Sequence, residues 1–157
     1  MMQAEDKATD FLRTLIVVNN DRQMSFDSAK SEVKEENLKA WFEQMSLQSK
    51  SYKEELMEWL PGDGQHAELS LNQTSLSGKV YRIWMEIKSM LSNHDTVAIL
   101  SSCEFGEDAA LKLYNEVLEN QTLFSPELYE IIRRHMLKIK EDFNMLVKLR
   151  KLEESDV

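Results

Sequence analysis

PGDGQHAELSLNQTSLSG, residues 61–78, is the stretch on which the fold turns. Pro61-Gly62-Asp63-Gly64 is the strongest helix-stopping punctuation in the chain, and the polar run to Gly78 cannot continue an amphipathic helix. Upstream, Ala8, Leu12, Leu15, Asn19, Arg22, Phe26, Ala29 and Val33 recur in alternating steps of 4 and 3, a helical seam with two polar members at its centre. Leu38, Phe42, Met45, Ser49, Tyr52, Leu56 and Trp59 continue the rhythm. A single helix from Ala8 to Leu60 would be roughly 80 Å long at ~1.5 Å per residue. A domain of this size has a radius of gyration of only ~15 Å. The chain therefore reverses near Lys34–Asn37, although VKEEN contains neither Gly nor Pro.

Downstream, Val80, Ile83, Trp84, Ile87, Met90 and Leu91 share one face of a short helix that Ser92-Asn93-His94-Asp95 interrupts. Asp95 serves as N-cap for the next helix, which runs to about Glu119. Ser125-Pro126-Glu127 starts the last one, with a capping Ser, Pro at the first helical position and an acid at the positive dipole end. Its stripe is Tyr129, Ile132, Met136, Ile139, Phe143 and Leu146. The expected helices are thus 5–33, 37–60, 78–91, 95–119 and 126–152, in one domain spanning 1–157. Two antiparallel pairs joined by one long crossover with a short helix predict an all-α, ferritin-like four-helix bundle rather than an up-down-up-down one.

The composition agrees: 157 residues make about one domain, and only four Gly and two Pro with 30% charged residues describe a helical protein. Nineteen basic against 28 acidic residues give a net charge of −9, which opposes nucleic-acid phosphates and anionic membranes. Cys103 stands alone, so no intrachain disulfide forms. Arg13 breaks the FLRTLIVV run, and no segment reaches the ~18 apolar residues of a membrane span. These features predict a cytoplasmic protein without nucleic-acid or membrane partners.

Arg82-x-Trp84, Lys88, Cys103-Glu104-x-Gly106-Glu107-Asp108 and Tyr114 resemble a bacterial family of uncharacterised ferritin-like four-helix-bundle proteins, with weaker similarity around Leu12–Ala29 and Leu38–Leu56. The resemblance implies a bacterial origin and a setting near stress-response proteins, with no settled activity. The chain departs from that pattern at Tyr81, where a His commonly precedes the Arg, and at Phe143, where the last helix often has His.

The stripe Leu100, Glu104, Glu107, Leu111, Tyr114, Leu118 places two carboxylates where apolar residues belong. Buried carboxylates must be paired, hydrogen-bonded or metal-bound. A ferritin-like di-iron site takes Glu-x-x-His from two of its helices, and this sequence has no Glu-x-x-His. Its three histidines lie in the crossover loop (His66), at a helix junction (His94) and beside the last helix's core stripe (His135). The expected arrangement is a buried ion pair between Arg22 and Glu107 or Glu104, without cofactor. The alternatives are iron or manganese ligated by Glu104 and Glu107, and a rotated helix in which Ile99, Cys103, Ala110 and Val117 form the seam. Cys103 reads as a small buried hydrophobe, and Arg133-Arg134-His135 with Lys138 and Lys140 as a basic patch balancing acidic helices. Ile16 and Val17 lie off the seam, beneath the crossover helix or at a dimer contact. Two roles follow: a non-enzymatic interaction or scaffold module, acting through its helical surface on a protein partner or a second copy, or an atypical di-metal carboxylate protein.

Overall fold

The computed structural model describes residues 4–62 and 95–155. Most of the crossover, with the helix expected over 78–91, lies outside these residues, as do His66, Tyr81, Trp84, Lys88 and His94. The described residues form helices and the short connections between them, with no strand among them. The helices are α1, Ala4–Glu32; α2, Glu36–Met57; α3, Thr96–Leu118; and α4, Pro126–Ser155, with a 3-10 turn at Gln121–Leu123. No helix among the described residues is long and apolar enough to cross a membrane.

Only Val33, Lys34 and Glu35 separate α1 from α2. Glu35 is extended (φ −71°, ψ 124°) and breaks the helix without Gly or Pro. Its carboxylate accepts from the Thr96 hydroxyl at 3.2 and 3.3 Å, tying the start of α3 to this end of the bundle. At the end of α2, Gly62 adopts φ 52°, the left-handed region where a side chain is disfavoured. Ser125 caps α4 by accepting from the Leu128 amide at 3.2 Å.

Side-chain pairs fix the helix directions. Ser46 donates to Asp27 at 2.5 Å and Lys53 to Asn20 at 3.2 Å, so α1 and α2 are antiparallel. Arg22 meets Glu107 and Asn19 meets Tyr114, so α1 and α3 are antiparallel too. Arg150 of α4 reaches Glu104 of α3, and His135 of α4 reaches Glu55 of α2. The helices form a square with α1 beside α2 and α3, and α4 diagonal to α1. Residues 62 and 95 consequently sit at opposite ends of the bundle. Backbones approach closely within α1–α2, α3–α4 and α1–α3, whereas α2 and α4 meet through long side chains.

Two apolar clusters fill the interior. One holds Leu12, Leu15, Ile16, Leu56, Leu113, Val117 and Ile132, the other Phe26, Phe42, Leu38, Ile99, Leu100 and Leu146. Ile16 and Val17 are buried members of the first cluster. A polar layer separates the clusters.

The α1 and α2 seams run as their spacing predicts, but two stripes need correction. On α3 the buried row is Leu100, Cys103, Glu107, Ala110, Tyr114 and Val117, with Glu104, Leu111 and Leu118 only partly buried. On α4 it is Leu128, Ile132, His135, Ile139, Asp142 and Leu146, with Tyr129, Met136 and Phe143 at the margin. Each correction is a displacement of every second seam position by one residue, one helical step of about 100°. His135, expected beside the core stripe, is fully buried within it.

Candidate functional site: a buried polar layer

α1 brings Asn19 and Arg22 to the bundle centre one turn apart, and α3 brings Glu107 and Tyr114 on the facing seam. Arg22 Nε donates to Glu107 Oε1 at 2.7 Å and its terminal nitrogen to Oε2 at 3.0 Å. Two parallel N–H bonds to one carboxylate are the geometry of an ionised pair. Both side chains are nearly inaccessible, at 3% and 1%. Burial pushes the Glu107 carboxyl up from its ordinary value, with Asp142 adding to the push and Arg22 opposing it. The remaining guanidinium donors reach Asn19 Oδ1 at 2.9 Å and Gln48 Oε1 at 3.0 Å. The cation also lies 5.7 Å from the Phe26 ring centre and 5.9 Å from that of Tyr52, within cation–π range.

α4 supplies a second carboxylate, Asp142. Its Oδ1 accepts from Lys138 at 3.1 Å. Its buried Oδ2 lies 3.9 Å from Arg22 and has no hydrogen-bond partner among the described residues.

A chain of hydrogen bonds leads outward from this layer. Asn19 Nδ2 donates to the Tyr114 oxygen at 2.7 Å and to the Leu15 carbonyl at 2.9 Å. Tyr114 Oη and His135 Nδ1 are 3.2 Å apart, and His135 Nε2 is 2.7 Å from Glu55 Oε1. Arg134 donates to the other Glu55 oxygen at 2.6 Å. The ends fix the direction. Arg22 can only donate, and an ionised Glu55 can only accept. Nε2 of His135 therefore carries the hydrogen, and Nδ1 accepts from Tyr114. Burial lowers the His135 pKa to about 4 against the pull of Glu55, so the ring is neutral near pH 7. Partial burial works to raise Glu55, but hydrogen bonds from His135 and Arg134 outweigh it and hold the carboxyl below its ordinary value. Tyr52 lies flat on the imidazole, 3.8 Å between centres and 6° between planes.

The expected pairing of Arg22 with a glutamate of α3 is thus present at Glu107. Glu104 needs correction. It points to the α3–α4 edge, where Arg150 Nε donates to it at 2.5 Å and a terminal nitrogen at 3.3 Å, with the carboxylate 20% exposed. Glu104 and Glu107 do not converge. Among the described residues no three His, Cys, Asp or Glu side chains are grouped to hold a metal ion. The iron or manganese alternative would have to recruit Glu107 away from a bidentate arginine. Because the Glu104–Arg150 pair is partly solvated, Glu104→Gln is expected to cost no more than about 1 kcal/mol in denaturant unfolding. A loss of several kcal/mol would mean that this edge pair is as critical as the central one.

His135 and Asp142 are the site residues that spacing did not find. Their signal was the row Leu128–Ile132–His135–Ile139–Asp142–Leu146, as regular as the stripe preferred over it. Within the basic patch around them, Arg133 pairs with Glu130, Arg134 with Glu55 of α2, and Lys138 with Glu141 and Asp142. Cys103 is buried, its thiol pushed far up by burial and by the nearby Glu107 charge, in keeping with a structural role.

Residues 7–120 match the family model described as Domain of unknown function (DUF2383). The match spans most of the chain, and the protein belongs to that family. Arg22, Glu107 and Tyr114 lie within the matched span, whereas His135 and Asp142 on α4 lie beyond it. No curated protein and no solved structure matches the chain.

Proposed function

We propose that this is a ferritin-like bundle whose centre is occupied by an arginine–carboxylate cluster, and that it acts as a non-enzymatic interaction or scaffold module in the stress-related, bacterial setting the sequence resemblance implies. Support for the ferritin-like arrangement comes from the helix directions: two antiparallel pairs whose connected ends, residues 62 and 95, lie at opposite ends of the bundle. The bidentate Arg22–Glu107 pair carries the functional reading. A guanidinium and a divalent cation compete for the same carboxylate oxygens, and Arg22 already has hydrogen-bond partners on α1, α2 and α3. The His135 nitrogens are likewise engaged, by Tyr114 and Glu55. With the centre committed to structure, recognition falls to the outer helical faces, which would meet a protein partner or a second copy in the cytoplasm.

Elemental analysis of protein purified without chelator, then incubated with Fe(II) or Mn(II) and desalted, tests this. Metal well below one ion per chain is the expected result. One or two ions per chain, with a shift in unfolding temperature, would instead establish the di-metal carboxylate reading.

A further inference from the structure

We propose that His135 is an acid-operated latch holding α2 against α4. The inference rests on the direction of the hydrogen-bond chain and on what joins these two helices. Their backbones scarcely approach each other. What bridges them around His135 is the Tyr52–His135 stack and the bonds from His135 and Arg134 to Glu55. A change at this ring therefore acts on contacts that hold one side of the bundle together.

The neutral ring leaves each donor of the Asn19–Tyr114–His135–Glu55 chain with an acceptor. A second proton lands on Nδ1, the nitrogen facing Tyr114 at 3.2 Å. Nδ1 then becomes a donor opposite a hydroxyl that was donating to it. The Tyr114 oxygen could accept this bond only by turning its own hydrogen away. Asn19 offers it no acceptor, because its Nδ2 faces Tyr114 and its Oδ1 takes the Arg22 hydrogen. Nor can Asn19 rotate its amide to help, since that would set its NH2 against an Arg22 donor. One buried hydrogen is stranded, and a stranded buried donor carries its full desolvation cost. The imidazolium escapes the conflict by leaving its place between Tyr52 and Tyr114 for water, with Glu55 following.

Each helix contributes a charged or titratable group around the ring. Arg22 of α1 and Arg134 on α4 itself oppose a positive ring, and Glu55 of α2 favours one. Tyr52 of α2 and Tyr114 of α3 face it as neutral phenols, both held neutral by burial. Opening therefore belongs below the ordinary histidine range, before α1–α2 and α3–α4 separate.

Long-range proton–nitrogen NMR correlations of the full chain test the starting state: the hydrogen should be on Nε2 of His135 at pH 7. Lowering the pH should then produce a local step, with the Tyr52 ring signal shifting and amides near His135 losing protection while helix content by circular dichroism is retained. His135→Gln, whose amide can both donate to Glu55 and accept from Tyr114 but takes up no proton, should abolish the step. Glu55→Gln should move its midpoint down by about half a pH unit or more. A hydrogen on Nδ1 at neutral pH, a midpoint unmoved in Glu55→Gln, or the absence of any step before global unfolding would each overturn the latch. Should His135→Gln fail to fold, the wild-type tautomer and the Glu55→Gln shift decide alone.

Discussion

Arg22→Leu is expected to lose about 3–5 kcal/mol of folding stability at pH 7, the typical cost of removing one partner of a buried ion pair. Glu107 would be left 1% exposed, near the buried Asp142 carboxylate and with no guanidinium on its oxygens. Asn19 and Gln48 would each lose a donor as well. The loss should shrink on acidification. Burial already raises the Glu107 carboxyl and Arg22 is what opposes the rise, so without Arg22 the folded state binds a proton more tightly and the variant gains stability as pH falls. The pair as a whole is a different matter. Replacing both residues with leucine removes the stranded charge, and such exchanges are often neutral or stabilising by ~1–4 kcal/mol. Urea unfolding of the single and double variants at pH 7 and pH 5 measures the coupling. If Arg22→Leu costs under about 1 kcal/mol at pH 7, the central pair contributes no more than a surface one.

The seams of α1 and α2 were legible because each has one continuous row that the core accepts, although Ile16 and Val17 beside the α1 row are buried as well. Asn19 and Arg22 stood out there because everything else in the row is apolar. α3 and α4 are different. On each, two rows share every second position: Leu100, Glu107 and Tyr114 on α3, Ile132, Ile139 and Leu146 on α4. The positions between can be taken one residue either way, and local hydrophobicity misleads. On α4 the row through Tyr129, Met136 and Phe143 is the more apolar, yet His135 and Asp142 are the buried ones. The row is settled by partners rather than by transfer energy. Asp142 has Lys138 on its own helix and Arg22 across the bundle, and His135 has Tyr114 and Glu55. The Arg22–Glu107 and Glu55–His135 pairs join residues 85 and 80 apart in sequence, where no periodicity can reveal them. Glu104 was misplaced for the same reason: its partner, Arg150, waits at the edge of α4 rather than at the centre.

The stability of the wild-type protein is expected to change little between about pH 6.5 and 4 on account of its two most shifted groups in that range, because they act in opposite senses. His135 falls from an ordinary 6.5 to about 4 under burial. In that window the unfolded chain binds the proton more readily, so the His135 contribution is present above 6.5 and is lost as pH falls toward 4. Asp21 moves the other way. Burial raises it from 3.8 to about 7, and its Oδ2 has no hydrogen-bond partner among the described residues. Its folded form holds the proton more tightly, so its contribution is present below 3.8 and is lost as pH rises through 7. Single variants should separate the two slopes. Asp21→Asn removes a partly buried charge whose Oδ2 has no hydrogen-bond partner among the described residues, and should stabilise the protein at pH 8 by about 1–3 kcal/mol while changing little at pH 4. The Asp21→Asn protein should then lose stability on acidification, exposing the His135 slope. His135→Gln should do the reverse and become more stable, relative to its value at pH 7, as pH falls. Urea unfolding at pH 8, 6 and 4.5 distinguishes these outcomes. Curves for Asp21→Asn that run parallel to wild type at all three values would mean that Asp21 titrates as a solvated carboxylate.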